Sequence, residues 1–145
     1  MHSVQRSVLV PYRADQMFDL VADCEKYPEF MPWCGGATVS HRDEHGMQAS
    51  ITIAFAGLKQ TFTTRNHHEY PNLITLELVD GPFSELKGRW EFISLAEDAC
   101  KVVFTLHYAF SSRTLEAVVG PVFNRIATSF IDSFTKRAQA CFEPE

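Results

Sequence analysis

The sequence lacks the features that would identify a membrane protein, a secreted protein or a nucleic-acid-binding protein. No stretch approaches the roughly 20 apolar residues of a membrane-spanning helix, and residues 1–6 lack the apolar run of a signal peptide. The formal net charge is -5, so the chain has no general attraction for nucleic acid. DNA is therefore not an expected partner, and contact with RNA would need a local patch of basic residues.

Cysteine is scarce, and metal-binding patterns are missing. The four cysteines are scattered without a C-x-x-C pair: Cys24, Cys34, Cys100 and Cys141. Cys24 and Cys141 fall on apolar helical stripes and Cys100 at the start of a strand, so we expect reduced thiols that pack as small hydrophobic side chains. His67 and His68 are adjacent, but neighbours on a strand point to opposite faces of the sheet. Since no third ligand follows at a useful spacing, we expect no metal site.

The composition is otherwise that of an ordinary globular protein, with 46% hydrophobic and 21% charged residues. A length of 145 residues predicts a single domain, residues 1–145, large enough to bury a core without disulfides or a metal. Phenylalanine is unusually frequent, and many of its 12 copies fall at positions predicted to be interior.

A long amphipathic helix is predicted over residues 114–142. Apolar residues recur there at steps of three and four and share one stripe: Leu115, Val118, Val119, Val122, Phe123, Ile126, Ala127, Phe130, Ile131, Phe134, Ala138 and Phe142. Pro121 has no N–H to donate, so we expect a kink there, or a short helix followed by the main one. A helix of roughly 40 Å is too long to be covered by one neighbouring helix in so small a domain, and a broad sheet is its natural partner.

The remaining sequence supplies the strands of such a sheet. Residues 3–10 predict a first strand and residues 14–24 a helix, and from residue 37 onwards apolar and polar residues alternate with a period of two. Short strands joined by short turns predict an antiparallel meander with one apolar face. We therefore predict an α+β fold in which a curved sheet of about six to seven strands wraps around the C-terminal helix.

An internal cavity is expected where a curved sheet and a straight helix do not fit flush. Its predicted wall and rim are built from inward-facing and loop residues: Phe30, Trp33, Phe55, Phe62, Phe83, Leu86, Trp90, Phe104, Phe123, Ile126 and Phe130. A plainly packed core would give a similar pattern, so both interpretations stay open. The main inward polar residues are Gln60 and Thr64, and neither is a general base at neutral pH, so we expect no catalytic residues and no enzyme.

A second aromatic segment, residues 25–36, connects the first helix to the sheet, and we call it the elbow. It crowds Tyr27, Phe30, Met31 and Trp33 between two stiffening prolines. Loops usually lie on the surface, so these apolar side chains must either pack into the protein or contact another molecule. Either the elbow is a plug that seals one end of the core, or it flanks the mouth of the cavity together with the turn at residues 81–83.

Two segments carry a specific resemblance to a known family. The first is residues 27–34 (YPEFMPWC), and the second is residues 81–84 (GPFS), followed at alternate positions by Leu86, Gly88, Trp90 and Phe92. With residues 62–66 and the final Arg137-Ala138, they resemble the coenzyme Q-binding START-domain family, whose bacterial members are also named RatA toxins. The resemblance covers essentially the whole chain. It implies the helix-grip fold of the START-like (polyketide cyclase/dehydrase) superfamily and a function without catalysis.

The resemblance implies two different functions. One branch of the family binds ubiquinone or a similar polyprenyl lipid and supports respiratory electron transport, and the other associates with the large ribosomal subunit and blocks subunit joining. An apolar cavity suits an isoprenoid tail, which gains about 25 cal/mol per Å² on leaving water. A ribosome contact would instead depend on four basic residues: Arg113, Arg125, Lys136 and Arg137. We therefore favour a non-covalently bound ubiquinone-like lipid, with the ribosome-associated toxin as the alternative.

The family also bears on location. The absence of a transit peptide indicates a bacterial member, and we expect it in the cytoplasm, with transient contact at the inner membrane as a further expectation for a lipid-binding protein.

Overall fold

The computed structural model describes residues 2–55 and 57–142. The elements of this part of the chain are β1 (His2–Val10), α1 (Ala14–Ala22), a 3₁₀ helix (Cys24–Glu29), β2 (Cys34–Asp43), β3 (Gly46–Phe55), β4 (Leu58–Glu69), β5 (Leu73–Asp80), β6 (Phe83–Ala96), β7 (Ala99–Phe110) and α2 (Arg113–Phe142). No helix among these residues is both long and apolar enough to cross a membrane.

The strands form one antiparallel sheet in the order β1-β7-β6-β5-β4-β3-β2. From β2 to β7 each strand pairs with the next one along the chain, because short turns can join only antiparallel neighbours. β1 pairs with β7 over its full length, from His2 opposite Tyr108 to Val10 opposite Cys100. The predicted α+β helix-grip architecture, with a sheet of six to seven strands gripping a C-terminal helix, is confirmed.

The core lies between one face of the sheet and α2. The period-two pattern buries alternate residues of β3 from Met47 to Ile53, and α2 buries a stripe opposite them. The buried residues of α2 are Val119, Phe123, Ile126, Ala127, Ile131, Phe134 and Ala138.

Of the two predictions made for Pro121, a short helix followed by the main one is excluded, because α2 continues from Arg113 to Phe142 as one helix with Pro121 inside it. The burial of two other residues differs from the prediction. Val118 is 57% exposed, because it lies at the edge of the stripe, on the side of α2 that also carries the exposed Arg125. Phe55, the last residue of β3, is 39% exposed because it reaches the end of the strand beyond the packed core.

The elbow is packed into the protein, as the plug alternative describes. Met31 is 1% exposed, Trp33 5% and Tyr27 7%. The Tyr27 hydroxyl donates a hydrogen bond to the carbonyl oxygen of Val21 at the end of α1, and the Ala54 backbone N–H donates to the Trp33 carbonyl oxygen at 2.8 Å. These bonds fix the elbow between α1 and β3.

All four cysteines are free thiols. Cys24, Cys34 and Cys100 are buried, but Cys141 is exposed near the end of α2. Cys141 continues the stripe of Phe134 and Ala138, but the prediction that it packs as a buried side chain is wrong, because the last buried residue of α2 is Ala138.

Candidate functional site

A small cavity of about 50 Å³ lies in the interior between the sheet and α2. Its wall is almost entirely hydrocarbon and is built by α1, the elbow, the sheet and α2: Val21, Ala22, Cys24, Tyr27, Ile51, Phe62, Thr64, Asn66, Ile74, Leu76, Leu86, Trp90, Phe104, Leu106, Phe123, Phe130 and Phe134. For comparison, an engineered apolar cavity of about 150 Å³ binds benzene. The cavity therefore has room for one or two water molecules, and a larger guest needs side chains to move.

The polar part of the wall is a pair of side chains on β4. Thr64 and Asn66 are each 4% exposed, and the Thr64 hydroxyl donates a hydrogen bond of 2.7 Å to Asn66 Oδ1. The two residues are two positions apart on one strand and so point to the same face. Sequence analysis identified Thr64 but missed Asn66, although the same inward parity would have found it. Gln60, the other polar residue predicted to face inward, is half-buried and does not line the cavity.

The ionisable groups of the described wall stay neutral at physiological pH. Burial raises the pKa of the Cys24 thiol to about 12 and the pKa of the Tyr27 phenol well above its ordinary 10. The residues named above as lining the cavity include no carboxylate, imidazole or amine. No residue of this wall therefore exchanges a proton near pH 7. The wall can recognise a ligand by its shape, by apolar contact and by hydrogen bonds.

Six of the eleven residues predicted to form the cavity and its rim line the cavity: Phe62, Leu86, Trp90, Phe104, Phe123 and Phe130. Phe83 instead packs behind it, with its ring 5.9 Å from that of Phe62 and 4.9 Å from that of Phe123. Phe30 does not line the cavity and packs against Phe134, at 5.7 Å between ring centroids. Sequence analysis did not predict the contribution of α1 and the 3₁₀ helix, because it left their position relative to the sheet open.

The other three predicted residues line a separate groove between α2, the elbow and the end of β3, which we call the outer groove. Trp33, Phe55 and Ile126 form this outer groove with Pro32, Val122, Arg125 and Ser129. The Arg125 guanidinium lies 6.0 Å from the centroid of the Phe55 ring. Phe130 stands between the groove and the cavity, since it lines the cavity and lies 5.7 Å from the Trp33 ring.

The described residues provide no cluster of three or more histidine, cysteine or acidic side chains that could hold a metal ion. His67 is exposed, whereas His68 is half-buried and its ring meets Phe18 edge-on at 5.4 Å. Burial lowers the pKa of His68 below its ordinary 6.5. The two histidines therefore have different environments on opposite faces of β4.

One of the four basic residues predicted to contact the ribosome is already engaged within the protein. Arg137 is held by Glu29, at 2.9 Å between Nη2 and Oε1, and its side chain is only 24% exposed. Arg113, Arg125 and Lys136 are exposed on α2. On the outer face of the sheet, Arg65 and Lys87 lie opposite the same residue of β5, Glu77.

Comparison with known proteins places the chain in a family. Residues 10–135 match the model of the family described as polyketide cyclase/dehydrase and lipid transport. The ribosome association toxin RatA of Vibrio cholerae is 43% identical over 142 residues, which cover 98% of this chain and 99% of the relative. The RatA toxin of Escherichia coli is 38% identical, with 98% of this chain and 90% of the relative covered. A mitochondrial coenzyme Q-binding protein of Drosophila melanogaster is 25% identical over 90% of this chain and 56% of its own length.

Solved structures show the same fold. An 18 kDa protein from Caulobacter crescentus superposes with a TM-score of 0.73 at 32% identity, covering 97% of both chains. An aromatase/cyclase from a Streptomyces species superposes with a TM-score of 0.78 at 18% identity, covering 95% of this chain and 93% of its own; this likeness concerns the fold alone. The chain therefore belongs to the polyketide cyclase/dehydrase and lipid transport family, with the START-like fold, and within it to the branch that includes the RatA toxins and the coenzyme Q-binding proteins.

Proposed function

We propose that this protein associates with the large ribosomal subunit and blocks subunit joining, as a non-catalytic toxin of the RatA type acting in the cytoplasm. The observation that carries this proposal is the identity of 38 to 43% with proteins named ribosome association toxins, over nearly the full length of both chains. The coenzyme Q-binding relative is more distant, at 25% identity. This reverses the order in which the sequence alone ranked the two functions.

The outer face of the sheet is the surface we assign to ribosomal RNA. Across β4, β5 and β6, Arg65, Glu77 and Lys87 are in register, and Lys87 is in turn opposite His107 of β7. Ion pairs within the described part of the chain occupy Arg89 and Arg137 but neither Arg65 nor Lys87. Because the whole chain carries a charge of -5, contact with phosphates must use such locally available cations.

Co-sedimentation with purified large subunits over a range of salt concentrations tests this proposal. Changing Arg65 and Lys87 together to Gln should weaken binding and reduce the slope of log affinity against log salt by about two, roughly one for each lost phosphate contact. Changing Glu77 to Gln should strengthen binding, because it removes the negative charge between the two cations. Changing Arg125 and Lys136 to Gln is the matched control, since it removes the same charge from α2.

Each result has a distinct consequence. Failure of the parent protein to co-sediment even at low salt would refute ribosome association. Binding that is weakened by the α2 pair and not by the sheet pair would retain the function but move the RNA contact to the helix.

A second candidate function is the binding of an apolar molecule, such as ubiquinone or a similar polyprenyl lipid collected by transient membrane contact. The cavity favours it, because a fully packed core would leave no interior space between the sheet and α2. At about 50 Å³ the cavity admits a ring only if a wall residue moves. Phe130 is the residue best placed to do so, since it is half-buried and stands between the cavity and the outer groove.

Native mass spectrometry of the purified protein tests for such a ligand. A co-purified lipid of defined mass, displaced by a short-chain ubiquinone analogue, would support this candidate. A protein that carries no lipid and takes up none from ubiquinone-containing vesicles would exclude a quinone as the ligand.

A further inference from the structure

The outer face of β2, β3 and β4 carries a group of hydroxyl side chains. They belong to residues at outward positions of neighbouring strands: Thr38, Ser50, Thr52, Thr61 and Thr63. We call this surface the hydroxyl face. We propose that it binds double-stranded RNA through the sugar-phosphate backbone and the 2′-hydroxyl groups. The inference rests on the ribosome association proposed above and specifies the kind of RNA that the protein recognises.

Four of these hydroxyl groups form two pairs across β3 and β4. Ser50 Oγ lies 2.7 Å from Thr63 Oγ1. Thr52 Oγ1 lies 2.8 Å from Thr61 Oγ1. Whichever oxygen donates within a pair, the second O–H is left to donate to another molecule, and lone pairs are left to accept. Because the 2′-hydroxyl of RNA is both a donor and an acceptor, it can match either role.

Available cations border the hydroxyl face along β4. Lys59 and Arg65 are exposed on either side of the two pairs, and neither belongs to an ion pair within residues 2–55 and 57–142. No outward position of β4 from Lys59 to His67 carries a carboxylate, and the same holds for residues 48–54 of β3. Although the whole chain has a charge of -5, this surface is therefore locally suited to a polyanion.

The side chains that are missing from this face favour paired RNA over single strands. The outward positions within residues 48–54 of β3 and 59–67 of β4 include no Phe, Tyr or Trp. Proteins that read unpaired bases stack them on aromatic rings, whereas serine and threonine hydroxyls contact phosphates and sugars. The hydroxyl face is therefore suited to a nucleic acid whose bases are already paired.

The shape of the sheet favours an RNA helix over a DNA helix. The sheet curves around α2, so its outer face is convex. Three adjacent strands span about 10 Å, which is too wide to enter the minor groove of B-form DNA, about 6 Å across. The minor groove of an RNA helix is wide and shallow and displays the 2′-hydroxyls. Short side chains on a convex surface can therefore reach these groups.

Threonine is also a strand-forming residue, so its presence on a sheet has a purely structural explanation as well. Valine separates the two explanations. It has the shape and the strand preference of threonine but lacks the hydroxyl group. A role in the fold alone is kept by a change to valine, whereas a role in RNA binding is lost.

Matched nucleic-acid probes of one sequence test the inference. They are an RNA duplex of about 20 base pairs, longer than the roughly 16 that a double-stranded-RNA-binding domain spans, its 2′-fluoro counterpart, the DNA duplex and the single RNA strand. The RNA and 2′-fluoro duplexes have the same charge and the same helical form, so they differ in the 2′-hydroxyl alone. We expect the parent protein to bind the RNA duplex at least fivefold more tightly than the 2′-fluoro duplex, the factor for one neutral hydrogen bond. The DNA duplex and the single strand should bind more weakly than the RNA duplex.

Double variants assign the preference to the two hydroxyl pairs. Thr52→Val with Thr61→Val removes one pair completely, so that no hydroxyl is left without its partner. Ser50→Ala with Thr63→Val removes the other. Each double variant should weaken binding of the RNA duplex about fivefold and leave the affinity for the 2′-fluoro duplex unchanged. The salt dependence should also stay the same, because the loss of a hydroxyl changes no counterion release.

Ser7→Ala with Thr105→Val is the matched control. It removes two hydroxyls from the same side of the sheet, on β1 and β7, away from the hydroxyl face. This control should bind all the probes as the parent does. If a double variant of the hydroxyl face does not fold, the ratio of the RNA and 2′-fluoro affinities of the parent still decides, because it needs no variant.

The outcomes separate this inference from the function on which it rests. Equal affinity for the RNA and 2′-fluoro duplexes, or tighter binding of the single strand, would overturn the role of the hydroxyl face. Co-sedimentation of the parent with large subunits would still leave ribosome association standing in that case. Co-sedimentation without measurable binding of the RNA duplex would overturn the inference in the same way. Failure to bind both the large subunits and all the probes would overturn both.

Discussion

The guanidinium of Arg137, near the end of α2, binds the carboxylate of Glu29 in the 3₁₀ helix at 2.9 Å between Nη2 and Oε1. The same guanidinium lies over the Phe30 ring, 4.9 Å from its centroid. These contacts join the C-terminal helix to the elbow across 108 residues of sequence. Arg137 is therefore engaged inside the protein and is not available to contact RNA phosphates.

Replacing Arg137 with Gln should destabilise the protein in a pH-dependent way. The Arg137 hydrogen bond lowers the pKa of the Glu29 carboxyl below its ordinary 4.5, with a further contribution from Lys26. A lowered carboxyl pKa contributes stability that is present above the ordinary value and is lost as the pH falls through the lowered one. The difference in melting temperature between the parent and Arg137→Gln should thus be constant above about pH 5 and shrink below about pH 4.

Lys136→Gln is the control for this experiment. It removes the same charge from the adjacent, exposed position of α2 and should give a small difference that does not change over the same pH range. A difference for Arg137→Gln that persists unchanged at pH 3 would show that the ring contact with Phe30, and not Glu29, holds the elbow.

Two phenylalanines of α2 should differ sharply in their contribution to stability. Phe123 is 1% exposed and packs against Phe62, Phe83 and Tyr108, so Phe123→Ala should cost about 3–5 kcal/mol. Phe130 is half-buried and already borders empty space, so Phe130→Ala should cost about 1–2 kcal/mol. Urea denaturation of the two variants measures both values. Equal losses would mean that Phe130 is packed as tightly as Phe123 and does not form a movable wall.

Periodicity predicted the sheet and the helix face well because both depend on local rules. The alternation along β4 and β6 correctly placed Phe62, Thr64 and Trp90 on the inner face, since side chains of a strand alternate whatever lies beyond it. For Phe55 the rule gave the face but not the burial, because how far α2 covers the end of a strand depends on the helix position and not on the strand's own sequence.

The size and the polar end of the cavity were harder to predict. They depend on how α1 and the elbow pack over β4, which brings Cys24 and Tyr27 to the cavity wall. Asn66 was overlooked because asparagine side chains are mostly exposed to solvent in folded proteins. Arg137 was misassigned for a related reason, since its partner Glu29 lies in a different part of the chain.

The four thiols should react very differently. Cys141 is exposed, whereas Cys24, Cys34 and Cys100 are buried, and burial raises the pKa of each of these three thiols and so disfavours the reactive thiolate. Brief treatment of the folded protein with a maleimide at pH 7 should add one label, and Cys141→Ser should add none. The same treatment in denaturant should add four to the parent. Rapid labelling of Cys24 in the folded protein would mean that α1 and the elbow open readily.

Tryptophan fluorescence should show where an apolar ligand binds. Trp90 lines the cavity, with its ring 5.2 Å from that of Phe134, whereas Trp33 lines the outer groove. A quinone in the cavity quenches the nearer indole more strongly. Titration with a short-chain ubiquinone analogue should therefore give saturable quenching that survives in Trp33→Phe and largely disappears in Trp90→Phe.

The reverse result would locate the ligand elsewhere. Quenching that disappears in Trp33→Phe and survives in Trp90→Phe would place the quinone in the outer groove, beside Phe55 and Arg125. Phe55→Ala distinguishes the two sites further, because it removes a wall of the groove and leaves the cavity lining unchanged. It should leave the affinity for a cavity ligand as it is and weaken binding in the groove. A response that fails to saturate in the parent and in both tryptophan variants would exclude a quinone from both sites, because an indole lines each of them.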